Sequence, residues 1–317
     1  MKIEYTLKHK TNPDAEIVET KNSISFLAFV KHASFAGFDL RISPSFRTVL
    51  RFLENFHTFF YPFAEKKFSI IPQLAFDPTE KGQFSNRIGR TFADYFAKKL
   101  YDARFTYCYE CYAKNYGISI KGSHPDFYCD SPHGSFVIEA KGYGCNTFSD
   151  NKMEKVKQQA SSVSNKLNLK FSIASVTYNI YDSPIIKYYD PKFEPNNTDE
   201  ALNRKLRASY FEIIKSLMGH LWIQGPFEEL KDDYIAATLG VYGDIEFKLL
   251  VNKNILLDNH DYHWLEKVNS IDKENYFIDR DGIGFSFDFS KIIIDPWRYP
   301  CLCPSVLQND FYEFWRD

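Results

Sequence analysis

No run of 18 consecutive apolar residues occurs in this 317-residue chain, so no membrane-spanning helix is expected. The opening residues, Met1 to Lys10, lack the apolar stretch of a signal peptide, and the expected setting is a reducing cytoplasm. A surplus of positive charge is missing too: 39 Lys and Arg stand against 41 Asp and Glu, for a net charge of −2. Proteins that coat DNA without regard to sequence are usually basic, so affinity for nucleic acid would have to come from local patches. No internal repeat, low-complexity tract, helix-turn-helix or zinc-finger signature stands out. Cysteines are few: Cys108, Cys111, Cys129, Cys145, Cys301 and Cys303. A Cys₄ zinc site could draw on Cys108, Cys111, Cys301 and Cys303, but a CxC pair is unusual in such a site, and buried free thiols are the expected reading. His260 and His263 have ligand-like spacing but no evident third ligand.

Hydrophobic residues are plentiful, at 44% of the chain, and 30 Phe with 21 Tyr dominate the aromatics. That is ample for one large or two modest domains. Aromatics serve cores first, and base stacking would need them exposed. Three segments are expected. Residues 1–84 read as an N-terminal α+β segment, with strands at Lys2 to Leu7 and Glu16 to Thr20 and a helix from Ser45 to Tyr61 opened by Ser43-Pro44-Ser45. The polar stretch Asp77 to Gln83 reads as a linker. Residues 85–182 form the core. There Ile88, Phe92, Tyr95, Phe96 and Leu100 make an apolar stripe at helical spacing, with Lys98 and Lys99 in the last turn. A strand is expected from Phe105 to Ala113, a helix from Asp150 to Lys166 and a strand from Phe171 to Tyr181. Residues 183–317 form a C-terminal α+β segment: a Pro-rich loop over 183–200, a helix from Glu200 to His220, and strands within Tyr234 to Val251 and Gly282 to Ile294. Phe285, Phe287 and Phe289 alternate with polar residues as in a half-buried strand. Arg204, Lys205 and Arg207 are a candidate phosphate contact, or an ordinary solvated helix face.

The stretch from His124 to Gly144 carries the chemistry. Ser131-Pro132-His133-Gly134 is a turn signal, and the β-formers Phe136, Val137 and Ile138 follow it, which implies a β-hairpin with a four-residue loop. Alternation places Val137, Glu139 and Lys141 on one face, with Phe136, Ile138 and Ala140 on the other. If the loop is symmetric about Pro132 and His133, paired residue numbers sum to 265, and Asp126 lies opposite Glu139. Such neighbours have Cβ atoms roughly 4.5–5.5 Å apart. Two bare carboxylates there repel, and a divalent cation relieves the conflict. Mg²⁺ typically takes one or two carboxylates and keeps several waters. Lys141 could position or deprotonate a water or stabilise a charged transition state, and the Ala140 carbonyl could add a ligand. The bland alternative is a solvated hairpin whose Asp, Glu and Lys form a weak surface ion pair.

Pro125-Asp126 and Glu139-Ala140-Lys141 together resemble the PD-(D/E)XK nuclease superfamily, over about residues 85–182. The resemblance implies an α/β, restriction-endonuclease-like core, a mixed central sheet flanked by helices. It implies Mg²⁺- or Mn²⁺-dependent DNA cleavage, with Asp126 and Glu139 as metal ligands, Lys141 as the catalytic lysine, and a restriction or phage-defence role. The core's first helix often carries one more acid in this family, for which Asp94 is the candidate and Glu110 the rival. Gln158 or Gln159 sits where some relatives place a supporting glutamine. Cleavage of both DNA strands by one site per chain favours a homodimer, because two-fold symmetry matches the antiparallel duplex. A catalytically inactive nuclease-like domain that binds nucleic acid or a partner protein is the alternative.

Overall fold

The structure is a computed structural model that describes residues 1–10, 15–40, 46–68, 77–120, 122–163, 169, 171–189, 199–230, 232–257 and 262–292. The chain divides into two compact units, residues 1–42 with 58–210 and residues 43–57 with 211–317. In chain order the elements are β1 (Lys2–Lys10), β2 (Val18–Ser25), α1 (Phe26–Phe35), α2 (Phe46–Ala64), α3 (Pro78–Tyr101), β3 (Phe105–Cys108), α4 (Tyr109–Asn115), β4 (Phe127–Asp130) and β5 (Phe136–Gly142). They continue with α5 (Asp150–Ser161), β6 (Ser172–Tyr178), β7 (Ile185–Tyr189), α6 (Glu200–His220), β8 (Trp222–Pro226), β9 (Tyr234–Tyr242), β10 (Ile245–Asn252), α7 (Lys253–Leu256), β11 (Ile271–Asp272), β12 (Tyr276–Ile278) and β13 (Ile283–Ser286). No helix among the described residues is long and apolar enough to cross a membrane.

The first unit is built on a mixed seven-stranded sheet in the order β2-β1-β7-β6-β5-β4-β3. β3, β4 and β5 form an antiparallel meander, β6 runs parallel to β5, and β1 runs parallel to β7. Helices cover both faces, as a mixed sheet buried on two sides requires. Glu139 pairs with Ala174 and Lys141 with Val176, so these four share a face. Met153 and Val156 of α5 cluster with Ala174 and Val176, which places α5 over that face. α3 covers the other: Tyr101 packs on Phe136 with ring centroids 5.6 Å apart. α1 packs on α3 in turn, Phe29 meeting Phe92 at 5.7 Å.

The second unit carries a six-stranded sheet in the order β11-β12-β13-β10-β9-β8, antiparallel throughout. The first part of α2 packs Phe56 on Phe247 at 4.3 Å and Phe52 on Phe285 at 5.4 Å.

Several sequence expectations need correction. Residues 1–84 are not a separate segment, because β1 and β2 extend the main sheet through the pairing of β1 with β7. The supposed linker at Asp77–Gln83 is the first turns of α3: Asp77 caps the helix by accepting from Thr79 N at 2.7 Å, and Pro78 follows at the first position. The strand expected over Phe105–Ala113 ends at Cys108, where α4 begins. The Pro-rich stretch read as a loop holds β7. Phe289 belongs to a short 3₁₀ turn, not to the strand that ends at Ser286.

Candidate active site

The site forms where β4 begins and β5 ends. Phe127 pairs with Ile138, Tyr128 with Val137 and Cys129 with Phe136, so paired numbers sum to 265 as the turn symmetry implies. The ladder continues to Asp126, whose N–H donates to the Ile138 carbonyl at 2.9 Å. One residue further on, Asp126 turns its side chain across the strands, and Oδ2 accepts from Ala140 N at 2.9 Å. Ile138 and Ala140 direct their polar groups to the same edge of β5. The Ala140 carbonyl therefore points past the start of β4, toward the Asp126 side.

Glu139 is fully buried, and no backbone N–H or hydroxyl among the described residues donates to its carboxylate. Lys141 Nζ lies in close ionic contact with Oε1. Burial, then the nearby Asp126 charge, pushes the Glu139 carboxyl up to about 7, against the opposing pull of Lys141. Partial burial disfavours charge on Lys141, yet Glu139 and Asp126 hold its ammonium above the ordinary lysine range. Lys141 keeps a third of its side chain in solvent, so a reactant can approach it.

Arg90 completes the cluster. Its Nη1 donates to Asp126 Oδ1 at 2.6 Å, and its guanidinium lies over the Phe127 ring, 4.6 Å from the centroid. Two glycines bring it there. A Cβ on Gly89 of α3 would stand 2.5 Å from the Lys141 carbonyl oxygen, and one on Gly142 of β5 would stand 1.7 Å from the Ser85 carbonyl oxygen. The helix and the strand thus touch backbone to backbone beside the site. Sequence reasoning missed Arg90, and the only hint of it was an arginine following the one glycine inside the apolar stripe of α3.

The other expected residues lie as follows. Asp94 is fully buried and bound to His32 Nδ1 at 2.6 Å, to Lys98 Nζ at 3.4 Å and to the Thr106 hydroxyl. Thr106 pairs with Cys129, which pairs with Phe136, so Asp94 lies on the sheet face opposite Glu139 and cannot share a metal with it. The expectation of Asp94 as one more acid of the metal site does not fit this placement. Glu110 is on α4, more than half exposed, and pairs with His124 Nε2 at 3.3 Å. Gln158 is exposed, whereas Gln159 donates to the His124 carbonyl at 3.1 Å and so steadies the approach to Asp126. Arg207 is no phosphate contact, because it is buried in a two-pronged bond to Asp130, at 2.7 and 3.0 Å. Arg204 and Lys205 are exposed. Cys108 is half-buried and Cys111 buried, both as free thiols, while Cys301, Cys303 and His260 lie outside the described residues. Tyr143, which sequence reasoning did not single out, extends the Glu139–Lys141 row: its N–H donates to the Thr177 carbonyl at 2.8 Å, and its partly exposed ring stacks on Phe148.

Among the described residues no cluster of three or more His, Cys, Asp or Glu side chains could hold a metal. Two carboxylates are within what Mg²⁺ takes, with water and phosphate oxygens completing its shell. The buried Glu139 carboxylate, answered by Lys141 alone among the cationic side chains described, fits a hard cation, since burying a carboxylate is costly. Asp126 fits less freely, because Arg90 already holds one of its oxygens.

No protein-family model matches the chain, and neither a curated protein nor a solved structure matches it.

Proposed function

We propose that this protein is a divalent-cation-dependent deoxyribonuclease, an endonuclease of restriction or defence type, on a restriction-endonuclease-like core. The observation that carries the reading is Glu139, wholly buried with Lys141 as its only cationic partner among the described residues, beside Asp126 at an accessible strand end. The order of elements supports it: helix α3, the antiparallel meander β3–β5, helix α5, and β6 parallel to β5. Asp126, Glu139 and the Ala140 carbonyl would hold Mg²⁺ or Mn²⁺, which supplies charge neutralisation and an acidified water. Lys141 is kept as an ammonium by its acidic neighbours, so its role is to orient the attacking water and to stabilise charge growing on the phosphoryl oxygens. Water forms the new P–O bond, the ester P–O bond breaks, and the proton leaves with the departing oxygen. A homodimer would place two such sites on the two strands of a duplex.

A second reading is favoured by one observation. Arg90 gives Asp126 a permanent cationic partner, which suits a nuclease-like domain that binds nucleic acid without cutting it. One experiment separates the two. Supercoiled and linear DNA are incubated with the protein and Mg²⁺ or Mn²⁺, beside Lys141→Ala and Asp126→Ala. Cleavage lost in both variants supports the nuclease. Cleavage that survives both removes the site assignment, and DNA binding without cleavage selects the second reading.

A further inference from the structure

We propose that Arg90 is the phosphate anchor of this site, the group that grips the anionic backbone of the nucleic acid. The inference rests on the nucleic-acid reading above and assigns a residue that neither motif contains.

The molecule supplies its own comparison. Arg207 is a structural arginine: buried, it spends Nε and Nη2 on Asp130 and Nη1 on Glu200, at 2.7, 3.0 and 2.9 Å. A guanidinium carries five N–H donors, and Arg207 places its three nitrogens on two carboxylates. Arg90 does the opposite. Only its Nη1 is engaged, with Asp126, and Nη2 and Nε have no partner among the described residues. Its side chain stays 28% exposed, so the open donors reach solvent. A planar fork with free paired donors matches the oxygens of a phosphate better than a point charge does.

The surroundings keep that fork in place and open. Phe127 lies beneath the guanidinium and fixes its plane. Gly37, at φ +59°, stands beside it, where a Cβ would come within 2.7 Å of Nη2 and 2.5 Å of the Phe127 ring. Any side chain there would crowd the free edge. Charge balance points the same way. Arg90 and Lys141 offset Asp126 and Glu139, so the bare site is near neutral. A divalent cation then leaves an excess of positive charge, which a phosphodiester answers. With a net chain charge of −2, general basicity cannot do this work.

The test uses the full chain, a short fluorescein-labelled DNA duplex and Mn²⁺. Anisotropy measures duplex binding in EDTA and in Ca²⁺, calorimetry measures Mn²⁺ binding, and melting reports the fold. Arg90→Ala is expected to weaken duplex binding about 10-fold or more, as loss of a charged hydrogen bond does. Mn²⁺ affinity should hold or rise, because Asp126 loses a competing cation. Arg90→Lys should restore part of the duplex affinity. If Arg90→Ala does not fold, Arg90→Gln, which keeps a donor toward Asp126, takes its place. Duplex affinity unchanged within twofold overturns the proposal, and so does a parallel loss of Mn²⁺ binding and melting temperature, the mark of a structural pin. Wild-type protein with no measurable duplex affinity overturns this inference and the nucleic-acid reading together. Wild-type protein that binds but never cuts removes the nuclease and leaves Arg90 standing.

Discussion

Replacing Glu139 with Gln should make the metal-free protein more stable at pH 8. The carboxyl is fully buried and its pKa is pushed from 4.5 to about 7. At 1.36 kcal/mol per pK unit, the native state carries a charged-form penalty of about 3 kcal/mol. A carboxyl raised on folding costs nothing below pH 4.5, where it is protonated in both states. The cost grows as pH rises through the interval to about 7 and is complete above it. Glu139→Gln removes the charge and keeps the shape. Lys141 loses its partner but is one-third exposed, so water takes over its solvation. Urea unfolding in EDTA at pH 5 and pH 8 should show wild type losing stability between the two, and the variant losing less by up to about 3 kcal/mol. Mg²⁺ should reverse the wild-type loss at pH 8 and leave the variant unmoved, since ligand binding to the native state stabilises it. A variant less stable than wild type at pH 8, with the pH slope intact, would refute the claim that burial makes the charged Glu139 costly in spite of Lys141.

Two further outcomes follow from packing. Gly142→Ala drives a Cβ into the Ser85 carbonyl oxygen, 1.7 Å away, so α3 must retreat from β5. Overpacking of this kind costs about 1–3 kcal/mol, and the urea midpoint should fall while DNA affinity falls with it, because Arg90 leaves with the helix. Arg207→Met strands Asp130, which is 1% exposed and already raised by burial despite its partner. Unfolding at pH 8 should show a loss of about 3–5 kcal/mol, shrinking at acid pH as Asp130 protonates, and an undiminished loss at acid pH would count against the ion pair as its source.

The hairpin was legible because a four-residue turn and strict alternation leave one register, and Phe127 pairs with Ile138 as that register demands. What stayed hidden depends on contacts far apart in sequence. The first turns of α3 looked like a linker because most of their residues face solvent, although the Asp77 cap and Pro78 were start signals in plain view. Asp94 lies off the Ile88–Phe92 stripe, yet α3 is packed by α1 on one side and the sheet on the other, so its polar stripe is interior too. There His32, Lys98 and Thr106 satisfy the carboxylate. β7 was lost among prolines, and the partnership of β1 with β7 has no local signature. Arg90 could not be found without knowing that α3 touches β5 through glycine, a fact of three dimensions only.

That parallel pairing of β1 with β7 bears on how the protein is made. β2 covers one edge of β1 as soon as the hairpin is synthesised, but the other edge waits for Ile185–Tyr189. At roughly 5–20 residues per second, a ribosome leaves that edge bare for on the order of ten seconds or more. Lys2, Lys8 and Lys10 lie along β1, and charged residues on an open strand discourage pairing with other chains. The meander that brings Asp126 and Glu139 together closes meanwhile from neighbouring strands, so the candidate site is assembled before the sheet that supports it is complete.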